Sequence, residues 1–208
     1  MEQYYEKDKI ELGIDEAGRG CLFGPVSISS VIWLDEDPEN SYNIVIKDSK
    51  QLSLKKRLLA YDYILDNSIA HSSVLIHNED IDKNNILKST INGMHLCIDN
   101  IVDNINIDTI LVDGNQFKFY MGKDGECINH ECIINGDNKY KSIAAASILA
   151  KVNRDNYILN LCEEYPELKK YDIHNNKGYG TKKHLDAIKE YGITKWHRKT
   201  FGICKEYC

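Results

Sequence analysis

Apolar residues alternate at Ile10, Leu12 and Ile14, and the run ends at two adjacent acids, Asp15 and Glu16. A period of two marks a strand with one buried face. It also puts Asp15 and Glu16 on opposite faces, so both serve one site only where the strand ends or bends. Gly18, Arg19 and Gly20 follow. Glycine supplies such a bend because it accepts backbone angles closed to other residues. Acids beside Leu12, Ile14 and Ala17 are costly to bury unless they are paired or metal-bound. A strand end with two solvated acids and a glycine turn is the plainer reading of the same stretch.

The rest of the chain alternates between the two periods. Residues 23–34 predict one or two β segments on Val26, Ile28, Val31 and Ile32, and residues 35–43, with Pro38 among acids, predict an exposed loop. Residues 44–46 are too short to assign. Ser53 predicts the cap of a helix through Leu54, Leu58, Tyr61 and Ile64. Residues 69–76 predict a strand, and Asn78 the cap of a short helix. The apolar stripe over 86–102 predicts a longer helix whose stripe is core. Residues 109–112 predict a strand that runs directly into Asp113, Gly114 and Asn115. Residues 116–131 have no clear period and predict a loop or hairpin, followed by a short strand over 132–134 and then Asp137. Residues 142–164 are strongly helical, and their small side chains allow close approach to a neighbouring backbone; Pro166 ends that helix. Thr181 predicts the cap of a last helix through Leu185 and Ile188, stopped by Gly192. Trp196 and Phe201 are expected packing anchors, and His197 is either a phosphate ligand or a structural histidine. There is no repeat and no linker, so one α/β domain over 1–208 is expected.

Composition narrows the class. A hydrophobic content of 42% over 208 residues can fill a core. No apolar run reaches the length of a membrane span. The charged N-terminus lacks a signal core, so a cytoplasmic protein is expected, or one found wherever the genome replicates, and not a secreted one. Seven scattered cysteines argue against a disulfide framework, and Cys127 and Cys132 are not expected to pair or join a metal site, since no second close pair and no convincing histidine spacing accompanies them. The net charge of −6 gives no overall basic field. Lys and Arg instead concentrate after Lys169, including Lys182, Lys183, Arg198 and Lys199, as a solvated helix face or a phosphate-facing surface.

Four acids stand at the ends of apolar runs: Asp15, Glu16, Asp113 and Asp137. Converging carboxylates repel one another unless cations neutralise them. Hard oxygen donors suit Mg²⁺ or Mn²⁺, and two such ions can hold both the attacking water and the leaving oxygen of a phosphodiester. Zincin, nucleophile-elbow, Walker and dinucleotide signatures are all missing. Phosphodiester hydrolysis therefore fits better than acyl transfer or nucleotide-cofactor chemistry. Spacing alone does not show that the acids converge.

GIDEAGRG at 13–20, DSKQLS at 48–53, DGN at 113–115, SIAAASILAKVNRD at 142–155 and KGYGT at 177–181 occur together and in order. With them the chain closely resembles the type 2 ribonucleases H, the ribonuclease HII family, from residue 10 to about 201. DGN or KGYGT alone is weak; the combination is highly specific. The resemblance implies an RNase H-like fold, a mixed β-sheet flanked by helices, with a helical C-terminal extension over about 165–208 that contributes to substrate binding. It implies a monomer that hydrolyses the RNA strand of RNA/DNA hybrids. It also implies nicking of duplex DNA on the 5′ side of single embedded ribonucleotides, leaving 3′-hydroxyl and 5′-phosphate. Two ions, Mn²⁺ or Mg²⁺, are expected in the substrate complex.

Carried over residue by residue, Asp15, Glu16, Asp113 and Asp137 become the catalytic, metal-binding carboxylates. Gly18, Arg19 and Gly20 match the loop that reads the ribose 2′-hydroxyl and the neighbouring phosphate. Tyr179 matches the tyrosine that stacks on the following deoxyribose. Lys50, Asn115, Ser147, Lys177, Lys182 and Lys183 complete the implied substrate-binding set. The chain departs from the family at Cys21, where proline is common, and at Asn176, where histidine is common; His174 lies two residues earlier. These departures bear on loop geometry and DNA-backbone affinity and remove no expected metal ligand. A junction resolvase and a nucleic-acid-binding module with a dead site are the alternatives. The GRG and KGYGT motifs argue against the first, and the four acids against the second.

Overall fold

The alternation that begins at Leu12 builds the centre of a six-stranded sheet. The computed structural model describes residues 1–33, 44–123 and 125–208, so the acidic loop expected around Pro38 lies outside the described residues. The strands are β1 (Glu11–Ala17), β2 (Val26–Ile32), β3 (Ala70–Ile76), β4 (Thr109–Asp113), β5 (Tyr120–Met121) and β6 (Cys127–Ile133). Their order across the sheet is β3-β2-β1-β4-β6-β5. β1 runs antiparallel to β2 and parallel to β4, and β4 runs parallel to β6, so the sheet is mixed.

Each face of the central strands meets a different helix. Leu12, Ile14, Val26, Ile28, Ile110 and Val112 join Met94, Cys97 and Ile98 of α3 (Ile86–Val102) in one core cluster. Val31 joins Ala145, Ala146, Ile148 and Leu149 of α4 (Lys141–Glu164) in another, together with Ala60 and Ile64 of α1 (Leu54–Asn67). The expected close approach of the small-residue helix occurs at Gly13. A Cβ built there would lie 2.3 Å from the Ser142 carbonyl carbon. Ser53 and Thr181 cap their helices as expected, accepting from the N–H groups of Lys56 and His184.

A third cluster gathers the chain's end. It joins Ile158 and Leu161 of α4 to Leu168, to Tyr171, to Ile173 of the short α5 (Ile173–Asn176), and to Ile188 of α6 (Lys182–Tyr191). Leu22 and Phe23, from the loop after β1, belong to the same cluster. Trp196 and Phe201 pack against it, as expected of anchors. The C-terminal helices are thereby fixed to the loop that leaves the first strand.

Two expectations are corrected. Asn78 is the first residue of its short helix, α2 (Asn78–Asn84), and not its cap: His77 holds the cap position, with no side-chain bond to the helix. The strand expected over 132–134 begins at Cys127, and it pairs with β5 as a hairpin inside 116–131. One face of β6 is open to solvent, so Asn129, His130 and Glu131 break the apolar alternation that marks other strands. Cys127 and Cys132 lie five residues apart on that strand, at opposite parity and roughly 16 Å apart, so they neither pair nor share an ion. All seven cysteines are free. Among the described residues no helix is long and apolar enough to cross a membrane.

Candidate active site

The site opens where β1 parts from β4. Parallel pairing between them stops at Ile14 opposite Val112, whereas β1 stays paired with β2 through Asp15, Glu16 and Ala17. The strand thus carries both acids past the end of its parallel neighbour. Asp113 is the last residue of β4. Asp137 arrives from β4's other side, in a 3₁₀ turn at Gly136–Asn138 directly after β6. That turn is bound to the site, since the Gly136 N–H donates to Asp113 Oδ1 at 2.7 Å.

Oxygens of Asp15, Asp113 and Asp137 all lie within 4.8 Å of one another. Asp15 and Asp137 are buried and Asp113 is half-buried. Burial, then the charges of Glu16 and Asp113, push the Asp15 carboxyl well above its usual range. Burial, then Asp113, pushes up Asp137. Glu16 stands beside the trio. Burial raises its pKa against the pull of Arg19, whose Nη1 donates to Glu16 Oε1 at 3.1 Å. The other oxygen, Oε2, is buried with no hydrogen-bond partner among the described residues.

Lys50 Nζ lies 3.9 Å from Asp137 Oδ2. Burial pulls this ammonium's pKa down, but Asp15, Asp137, Asp48 and Asp113 outweigh it and hold the pKa above its ordinary value. Asp48 caps the turn that carries Lys50, accepting the Lys50 N–H at 2.9 Å. Ser147 is buried beneath that turn, and its hydroxyl donates to Ser49 Oγ at 2.9 Å. Four carboxylates therefore face two cations, Lys50 and Arg19. Converging oxygen donors, surplus negative charge and an orphaned carboxylate oxygen fit a hard divalent ion.

Beside the acids lies a second group, built from two loops. Gly18 has φ +92°, and a Cβ there would lie 1.9 Å from Arg154 Nε, so only glycine fits. Arg19 reaches back to Glu16, while Gly20 faces open space. Tyr179 is 44% exposed beside this loop, with the Arg154 guanidinium 6.0 Å from its ring centre. Asn176 stands at one of the two positions where the chain departs from the family it resembles. It ties its loop to the Tyr171 carbonyl and accepts the Gly178 N–H at 2.7 Å. Cys21 is buried, and its thiol approaches the Lys177 carbonyl at 3.8 Å. The Lys177 ammonium is bound to the His174 carbonyl. Asn115 and Lys183 are exposed, and Lys182 pairs with Asp186 at 3.2 Å on the solvent face of α6.

Four buried side chains under these loops stand outside the substrate-binding set expected from the sequence. Arg198, grouped with the basic tail as a solvent- or phosphate-facing residue, is fully buried. His197 is the structural histidine of the two readings. Its Nδ1 accepts the Thr194 N–H at 2.9 Å, so the proton on Nε2 points to His184 Nε2 at 3.1 Å. His184 Nδ1 then donates to the Tyr179 carbonyl at 2.9 Å. Burial, then His184, lowers the His197 pKa to about 3, and burial lowers that of His184. The neutral pair thus suspends the tyrosine loop from α6. Arg154 is also buried, and the sequence holds a trace of it: Ala150, Arg154 and Ile158 lie four apart on one buried stripe.

A family model described as ribonuclease HII matches residues 12–204. Ribonuclease HII of Christiangramia forsetii is 45% identical over 203 residues, 98% of this chain and 96% of that protein. That of Rickettsia akari is 46% identical over 198 residues, 94% and 92% of the two chains. Among solved structures, ribonuclease H2 from Pyrococcus horikoshii OT3 superposes with a TM-score of 0.71 at 23% identity, covering 95% of this chain and 96% of that one. Bst-RNase HIII in complex with Mn²⁺ superposes at 0.73 and 18% identity, over 96% of this chain and 69% of that one. At such identities the structures show a shared fold, the RNase H-like mixed sheet flanked by helices with a helical C-terminal extension. The match to the family model over nearly the whole chain, with relatives of that description covered almost end to end, shows that the chain belongs to the ribonuclease HII family.

Proposed function

We propose that the chain nicks duplex DNA immediately 5′ of a single embedded ribonucleotide, leaving 3′-hydroxyl and 5′-phosphate. Endonuclease activity on RNA/DNA hybrids follows from membership of the family. The observation that carries the finer reading is the adjacency, along one strand and its exit loop, of the carboxylate site and the glycine loop 18–20. Asp15, Glu16, Asp113 and Asp137 would hold the metal, Mn²⁺ or Mg²⁺. Bound there as a pair in the substrate complex, such ions stabilise charge on the phosphodiester and lower the pKa of the attacking water.

The chain's own groups choose the substrate. A glycine loop lets main-chain groups approach a sugar closely, and its polar groups distinguish a ribose by the 2′-hydroxyl they bond. A site built to bond a hydroxyl rejects the analogue lacking it far more strongly than a pocket rejects a missing methylene. Tyr179 supports the other half of the junction, because an exposed ring can pack on a deoxyribose where a 2′-hydroxyl would crowd it. Lys50 lies where it can meet phosphate while restraining Asp137.

Cleavage of three end-labelled duplexes tests this reading: one ribonucleotide in DNA, continuous RNA on DNA, and all DNA. The wild-type protein cuts the first at a single position 5′ of the ribonucleotide and leaves all-DNA duplex intact. Equal cutting of all-DNA duplex would overturn the reading in favour of a resolvase-like nuclease. Tight binding without cutting would favour a dead-site binding module. Tyr179→Ala lowers the preference for the junction more than it lowers metal binding. Lys182→Ala or Lys183→Ala weakens binding to every duplex alike, each lost phosphate contact reducing the log–log salt slope by about 0.9. An unchanged slope in a binding titration would return these lysines to the solvated face.

A further inference from the structure

Arg154 and Arg198 are both fully buried, and neither pairs with a carboxylate among the described residues. An unpaired buried cation is expensive unless other groups replace its water. Main-chain carbonyls do so here, three for each guanidinium. Arg198 donates from Nε to Gly24, from Nη1 to Arg19 and from Nη2 to Gly18, at 2.9, 2.8 and 2.8 Å. All three acceptors lie in the loop that follows β1. Arg154 donates from Nε to Pro25 at 2.9 Å and from Nη2 to Phe23 at 3.0 Å, in that same loop. Its Nη1 crosses to Lys177 at 2.7 Å, two residues before Tyr179.

The two loops are in close contact at this point. The Leu22 N–H donates to the Gly178 carbonyl at 2.9 Å. Gly178 has φ +85°, and a Cβ there would lie 2.6 Å from the Phe23 carbonyl oxygen. Arg154 thus bonds both loops at once from the helix beneath them, while Arg198 bonds one; the Cys21 thiol adds a longer contact from the first loop to the Lys177 carbonyl. A guanidinium holds its donors in a rigid fork, and a lysine ammonium in its place cannot reach three divergent carbonyls.

We propose that Arg154 is a positioning residue that sets the spacing between the 18–20 loop and Tyr179. It thereby sets the preference for a ribonucleotide followed by a deoxyribonucleotide. Arg198 shapes the first loop only. This assignment rests on the junction reading above. A displacement of about 1 Å between positioning groups can cost on the order of a hundredfold in rate, so a modest slip between the loops is readable in substrate choice.

The test is the ratio of single-turnover cleavage rates on the one-ribonucleotide duplex and on the continuous hybrid, measured with one preparation of each variant. Loss of folded protein scales both rates and leaves the ratio unchanged. Arg154→Lys lowers the ratio by about tenfold. Arg198→Lys lowers both rates and keeps the ratio within about twofold, because both substrates need the first loop. Gly178→Ala keeps Arg154 but pushes the loops apart, and it lowers the ratio as Arg154→Lys does. If Arg154→Lys does not accumulate as folded protein, Gly178→Ala decides. A wild-type ratio in Arg154→Lys or Gly178→Ala overturns the assignment, as does an equal fall in the Arg198→Lys ratio. A wild-type protein with no preference between the two duplexes overturns the junction reading itself, and the assignment with it.

Discussion

Asp15→Asn gives a metal-free protein that melts higher than the wild type and cleaves hybrids at least about a hundredfold more slowly. The loss of rate is set by reference to residues that only support metal ligands, whose removal already costs about 10–100-fold. The gain in stability comes from the same crowding. Asp15 is buried against Glu16 and Asp113, and its folded-state pKa is raised well above the ordinary 3.8. A carboxyl raised in the folded state binds its proton more tightly there than in the unfolded chain. Stability is therefore highest at low pH and is lost as pH rises through the raised value. Above the unfolded-state pKa this carboxyl is a net cost to the fold whether it keeps its proton or loses it, and asparagine of the same shape removes that cost. A gain of about 1–2 kcal/mol corresponds to a melting temperature higher by roughly 2–8 °C in a chain of this size. Added Mn²⁺ raises the wild-type melting temperature by linkage and raises the variant's less. Thermal melts from pH 5 to 8, with and without ion, check both halves. A metal-free variant that melts lower than the wild type would sink the crowding account.

Gly13→Ala destabilises the fold by about 3 kcal/mol or more, the upper end of what overpacking costs. The added methyl meets the main chain of α4, with the Ser142 carbonyl carbon at 2.3 Å and the Ile143 nitrogen at 2.5 Å. Main chain cannot step aside as a flexible side chain can. The helix has to lift off β1, and the buried alanines that face the sheet then lose contact along a whole row. Denaturant titration reads the effect, with a fall in melting temperature of roughly 6–12 °C. Gly20→Ala is the control, since its methyl meets nothing within 4 Å; it leaves stability within about 0.5 kcal/mol. Equal melting of the two variants would show that α4 tolerates displacement at Gly13.

What was legible in the sequence followed from local rules. Alternation marked β1, helical spacing marked α3, and a serine and a threonine marked two helix starts. Asp15 and Asp113 were visible as acids ending apolar runs, and the parallel register of β1 and β4 explains why two such ends meet. The parity argument about Asp15 and Glu16 also held in part, for Asp15 joins the trio while Glu16 stands beside it. β6 escaped because neither of its faces is fully buried, so polar residues stand at both parities. Arg154 and Arg198 escaped for a different reason. Arg198, satisfied by carbonyls, leaves no local mark and in a basic tail reads like its solvated neighbours, whereas Arg154 shows only as the polar member of a buried helical stripe. His184 and His197 meet across 13 residues through tertiary packing alone.

The bonds from Arg198 to Gly18 and Arg19 also concern time. They span 180 and 179 residues of chain. A ribosome making this protein delivers the glycine loop 180 residues before the guanidinium that bonds it. Throughout that interval the nascent chain carries the first two acids beside a loop without its final support, and Asp113 and Asp137 emerge long before that support does. Contacts this distant in sequence form late and slowly. The loop that leaves β1 therefore takes its final shape only after residue 198 has joined the chain, and every shorter nascent chain carries that loop without the guanidinium that bonds it.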